Sequence, residues 1–193
     1  MAIGAQVVKA TLHVSDLDRG YFGTHRLTLA RESSETAERL VARLLAFSYE
    51  AGPDAELSAE MAETDEPAIA RRDGAGEIVS WVEVGMPDPK RLKKAAARSR
   101  AVTLWLYHGR QAAAWWDSSR AGLEGLRALE VRELDSSAVR ELATRAGKAL
   151  EWSVTIQDGR ALVADDDGAI GVDVEVRMAR PESGPLARGP GGR

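Results

Sequence analysis

Cysteine is absent from this 193-residue chain. That excludes disulfides, thiolate zinc sites and thiol nucleophiles. Histidine is scarce, with only His13, His25 and His108, which argues against a His-rich metal centre. No apolar run approaches the ~18 residues of a membrane-spanning helix. The first basic residue, Lys9, follows only a short, mildly apolar stretch, unlike a secretory signal. A cytoplasmic protein without a membrane partner is therefore expected. There is no Gly-rich phosphate loop, and no Gly-x-Ser-x-Gly nucleophile motif. Lysine is also rare. Of 26 basic residues only five are Lys, and three of those fall together as Lys90, Lys93 and Lys94.

What is present is a soluble globular composition, 44% hydrophobic and 29% charged, with a net charge of −4. The length suits one domain of ordinary size. Residues 6 to 14 alternate and are β-branched, and residues 24 to 31 read as a partner strand across a loop. A helix is predicted from Ser34, capped by Ser33 or Ser34, with Glu35 and Glu38 near its positive end and Gly52-Pro53 ending it. A short strand near Leu57 lies in an acidic stretch. Strands follow at 67 to 72 and 77 to 84, then a helix from about 88 to 100 opened by Pro. Residues 101 to 107 are nearly all apolar, as in a buried central strand. A helix at 112 to 121, a strand at 128 to 134 and a helix at 136 to 149 come next. Strands are predicted at 151 to 157, 160 to 164 and 170 to 178, with Asp158-Gly159 as a hairpin turn. From Pro181 to Arg193, three Pro and four Gly mark a disordered tail after a single domain of residues 1 to 180.

The acids and lysines fall at telling places on this frame. Glu83 shares its parity with Trp81, inside a strongly apolar strand, where an unpaired carboxylate is costly. Asp65 and Glu66 precede Pro67, and an antiparallel return would carry them towards Glu83. Lys90, Lys93 and Lys94 share one helix face. Carboxylates with lysines nearby suit Mg²⁺ or Mn²⁺ and a phosphodiester. Residues 90 to 100 carry six positive charges and no acid, a candidate phosphate contact through Lys90, Arg91 and Arg98. Trp115 and Trp116 read as core, and Asp165 to Asp167 as a turn tip.

The order of elements resembles the PD-(D/E)xK nuclease core, over about residues 34 to 107. The strings resemble the YaeQ family of bacterial proteins: Leu-Thr-Leu-Ala-Arg (27 to 31), Ser-Glu-Thr-Ala-Glu-Arg (34 to 39), Arg-Leu-Leu-Ala-Phe (43 to 47), Asp-Glu-Pro (65 to 67), Trp-Val-Glu-Val-Gly-Met-Pro (81 to 87), Lys-Lys-Ala (93 to 95), Trp-Trp (115 to 116) and Ile-Gln-Asp-Gly (156 to 159). The resemblance implies an α/β (α+β) fold, with a mixed sheet flanked by helices and extra β-hairpins at both ends. The acids converging with a lysine on this frame point to a variant Mg-dependent nuclease. Glu83 with Glu66 or Asp65 would hold the metal, Glu38 would assist, and Lys93 or Lys94 would meet the scissile phosphate. Two departures stand out. Pro67 is followed by Ala68, not Asp, and the strand ends Glu83-Val84-Gly85, so the motif lysine is missing. The alternative is a catalytically degenerate descendant that binds nucleic acid or protein.

Overall fold

The computed structural model describes residues 6–59 and 66–181. Its strands form two mixed sheets with helices between and outside them. Strands β1 (Gln6–Asp16) and β2 (Tyr21–Arg31) make an antiparallel hairpin, registered from Gln6 opposite Arg31 to Asp16 opposite Tyr21. The alternation of β1 turns Val8, Ala10, Leu12 and Val14 inward. The C-terminal strands β8 (Ala149–Gln157), β9 (Arg160–Asp165) and β10 (Gly168–Val172) form a meander beside it. β8 runs parallel to β1, giving the order β10-β9-β8-β1-β2. Thus the two expected terminal hairpins become one five-stranded sheet. The Asp158-Gly159 turn takes positive φ at both residues, as a tight two-residue hairpin requires.

The second sheet has the order β11-β7-β6-β5-β4-β3. It contains β3 (Ala55–Leu57), β4 (Ile69–Arg72), β5 (Ile78–Val84), β6 (Ala101–Leu106), β7 (Leu129–Leu134) and β11 (Val174–Met178). β5, β6 and β7 are parallel; β3, β4 and β11 run antiparallel at the edges. The single strand expected at 170 to 178 is two strands. The chain breaks at Asp173, β10 stays in the first sheet, and β11 crosses to the second.

Helix α1 (Ala37–Glu50) lies between the sheets. Every residue from Leu40 to Tyr49 is buried, so it has no solvent face. Its N-cap is Thr36, whose side chain accepts from the Arg39 N–H, so the helix starts later than the expected Ser34. Glu35 consequently sits in the preceding turn. Helix α4 (Ser136–Arg145), capped by Asp135, packs on α1 in the same core. Helices α2 (Pro89–Arg98) and α3 (Arg110–Ser119) cover the other face of the second sheet. There Trp81, Leu104, Val131, Leu92 and Trp116 form a second core. Trp116 is buried and Trp115 partly so. The expected positions of the other elements hold to within a few residues.

One polar contact lies inside the first core. Arg43, in the middle of α1, donates from Nη1 to Oε1 of Glu35 at 2.8 Å and from Nη2 to the Ser58 carbonyl at 2.5 Å. Arg43 is 1% exposed and Glu35 2%. The pair ties the β2–α1 turn to the chain leaving β3. Replacing Arg43 by Ala strands a buried carboxylate, so a loss of about 3–5 kcal/mol is expected. Urea unfolding measures it, and a loss below about 1 kcal/mol, the scale of a surface pair, would show that Glu35 does not depend on Arg43.

Candidate functional site

Glu83 lies near the carboxyl end of β5, on the face turned towards α2. It is buried, and its neighbours are fixed by local geometry. Trp81, two residues earlier on the same face, donates its indole N–H to Glu83 Oε1 at 2.6 Å. Asp88 and Pro89 start α2 just beyond the strand, which puts Arg91 on its first turn. Arg91 donates from Nε to the same Oε1 at 2.7 Å, and from Nη2 to the Glu66 carbonyl at 2.6 Å. The Arg91 and Arg98 guanidiniums, seven residues apart on α2, each lie 5.7 Å from the Trp81 ring centroid. Burial pushes the Glu83 carboxyl above its ordinary value, while Trp81 and Arg91 pull it back.

The return of β4 beside β5 pairs Ile69 with Val82, and the Ala68 N–H bonds the Val82 carbonyl at 2.9 Å. Pro67 and the Glu66 backbone are therefore brought to the Glu83 end of the strand, as the topology predicts. The Glu66 carboxylate is not. It accepts from Arg72 Nη2 at 2.9 Å, and half of it is exposed. Asp65 lies outside the described residues. Glu38 is on α1, across the sheet from the α2 layer, with its Oε2 3.7 Å from Nδ1 of His108. Lys90, Lys93, Lys94 and Arg98 are exposed on α2. Lys93 reaches the turn after α3, its Nζ 3.8 Å from where a Cβ on Gly122 would stand. Among the described residues, no three His, Asp or Glu side chains are grouped closely enough to hold a metal ion.

Two residues give the site its form without having been singled out by the sequence reading for those roles. Arg91 was expected to face phosphate, and it is folded back onto Glu83. Its position eight residues after the carboxylate, on the first turn of the next helix, was the available signal. Gly85 has φ +104°, and a Cβ there would stand 3.2 Å from the Arg39 guanidinium. A lysine at this position would be both strained and crowded. Arg39 also bonds the Val84 carbonyl at 3.3 Å.

The model of the family "YaeQ protein" matches residues 1–174. The chain belongs to the YaeQ family. It is 37% identical to the uncharacterized protein YaeQ of Escherichia coli (strain K12) over 175 residues, 90% of this chain and 96% of that one. Against the Salmonella typhi YaeQ it is 37% identical over 166 residues, 86% and 91% of the two chains. Among solved structures, the YaeQ protein of Xanthomonas axonopodis pv. citri superposes with a TM-score of 0.86 at 39% identity, covering 91% of this chain and 99% of that one. The Pseudomonas syringae YaeQ protein gives 0.85 at 27%, covering 91% and 97%. The α+β architecture described above is thus that of the family.

The environment of Glu83 in this YaeQ-family chain sets a pH dependence. The carboxyl in the folded chain holds its proton above its ordinary value of 4.5. Protonation of this group therefore favours the native state fully below that value, and the benefit fades as pH rises through the raised one. Glu83→Gln removes this contribution. Urea midpoints measured from about pH 4 to 8 should fall more steeply for the wild type than for the variant across that window. Parallel profiles would show that the buried carboxyl is not perturbed.

Proposed function

We propose that this chain is a nucleic-acid-binding protein built on a variant PD-(D/E)xK-like core, in which the motif carboxylate is closed off. One observation carries this reading. Glu83 is neutralised internally by Arg91 and hydrogen-bonded by Trp81, while the rest of the basic set on α2 remains outward. Both the indole and the guanidinium converge on Oε1, an oxygen for which a divalent cation would have to compete. Lys90, Lys93, Lys94 and Arg98 provide several positive charges along one exposed surface, as phosphate backbones require. The net charge of −4 means that attraction must come from this face and not from the field of the whole protein.

The second reading is Mg-dependent phosphodiester hydrolysis. Glu83 with Asp65 would hold the metal, with Glu38 and Lys93 or Lys94 assisting. It is supported by the β4 return, which brings Pro67 and the Glu66 backbone to the Glu83 end of β5. Both readings are separated by one set of measurements on labelled DNA and RNA, single- and double-stranded. Under the first, binding weakens steeply with salt and no cleavage follows Mn²⁺ addition. Combining Lys90→Ala, Lys93→Ala and Lys94→Ala should lower the slope of log affinity against log salt by about 2–3, near 0.9 per lost phosphate contact. Unchanged binding by the triple variant would overturn the α2 assignment. Cleavage that needs Mn²⁺ and vanishes in Glu83→Ala would establish the second reading instead.

A further inference from the structure

A cavity of about 470 Å³ opens beyond the C-terminal end of α1, between the two sheets. It lies among the starts of β5, β6 and β7, on the face of the second sheet opposite Glu83. Its size is that of a small-molecule site. Arginines line it from four separate segments: the β1–β2 turn, β4, β7 and the chain after β11.

The carboxylates around it are mostly committed. Asp16 accepts from both the backbone N–H and Nε of Arg19, at 2.9 and 2.6 Å. Asp18 accepts from the backbone N–H groups of Asp158 and Gly159, both at 2.8 Å. Glu130 accepts from Arg132 Nε at 2.6 Å and lies 3.8 Å from Arg180. Arg71 is different. Its Nη2 donates to the Glu50 carbonyl, capping α1, and among the described residues no carboxylate lies within salt-bridge distance of it, although the Glu50 carboxyl feels its charge. Its Nε is buried and has no hydrogen-bond partner. Arg71 lines the polar cavity, and a guanidinium there without a carboxylate partner calls for an anion.

We propose that this cavity binds a small molecule through a phosphate or carboxylate group, held by Arg71 and coupled to the protonation of Glu50. Four arginines and four carboxylates line the space, so with Glu50 ionised they balance. With Glu50 protonated, one positive charge is left in excess. Burial raises the Glu50 carboxyl above its ordinary value, opposed by Arg71, Arg132 and Arg19. Asp16, Asp18, Glu130 and Arg180 are the other charged groups around the cavity. Anion affinity therefore falls as pH rises through the raised Glu50 value.

Isothermal titration with sulfate, whose charge is constant over the range, tests this between about pH 5 and 8. Saturable binding should be several-fold tighter at the acid end. Glu50→Gln should bind more tightly than the wild type at the alkaline end and lose the pH dependence, a gain that unfolding cannot mimic. Arg71→Gln should weaken binding about tenfold or more, the scale of a charge-assisted hydrogen bond. Inorganic phosphate against malonate at neutral pH then distinguishes the two anionic groups, the tighter naming the chemistry. Absence of saturable binding by all three anions overturns the site. So does sulfate binding that both variants leave unchanged. Because the cavity is remote from α2, these outcomes do not depend on nucleic-acid binding.

Discussion

Helix α1 has no face for water, and that constraint organises the molecule. A helix enclosed on all sides must have both ends satisfied by other parts of the chain. At its start Thr36 takes one amide. At its end Arg71 and Arg19 reach from β4 and the β1–β2 turn to the carbonyls of Glu50 and Ala51. In the middle, Arg43 is held by Glu35 and Ser58. The two sheets are thus joined through the helix by hydrogen bonds as well as by apolar packing. The same arrangement makes the cavity, since the sheets continue where the helix stops and the space is lined by the charges that terminate it.

The Glu83 site follows another logic. A carboxylate in an apolar strand must be neutralised or solvated. Here the next helix supplies Arg91, and the strand itself supplies Trp81. Chemistry that needs Glu83 as a ligand must first compete with these partners. Gly85 bears on the same question. Its positive φ lets the chain turn from β5 beneath the Arg39 guanidinium, a conformation in which any side chain at this position would be strained and crowded.

Much of this was legible in sequence. The alternation of β1, the apolar β6 and the Asp158-Gly159 turn each state their own conformation, because burial and turn sterics act locally. The family strings carried the architecture. What could not be read was pairing at a distance. Nothing in the run 170 to 178 shows that it divides between two sheets, since both halves have strand character and the division is made by their partners. Glu35 read as a helix-end charge because its partner, Arg43, lay among apolar residues where a cation is unexpected. Arg91 read as a surface charge for a similar reason. Glu66 reached the expected strand end, yet its side chain followed Arg72 outward.

The parallel pairing of β1 with β8 has a consequence for how the chain is made. Lys9 pairs with Ala149 and Asp16 with Ile156. The first hairpin can form as soon as it leaves the ribosome, but one edge of it has no partner until some 140 residues later have been synthesised. Its inward face, with Val8, Leu12 and Val14, waits equally long for a full cover. A long loop must close before that contact contributes, which slows folding and lengthens the exposure of an open strand edge. The N-terminal hairpin is therefore the stretch of this protein with most need of protection during synthesis, and the C-terminal meander is what completes its fold.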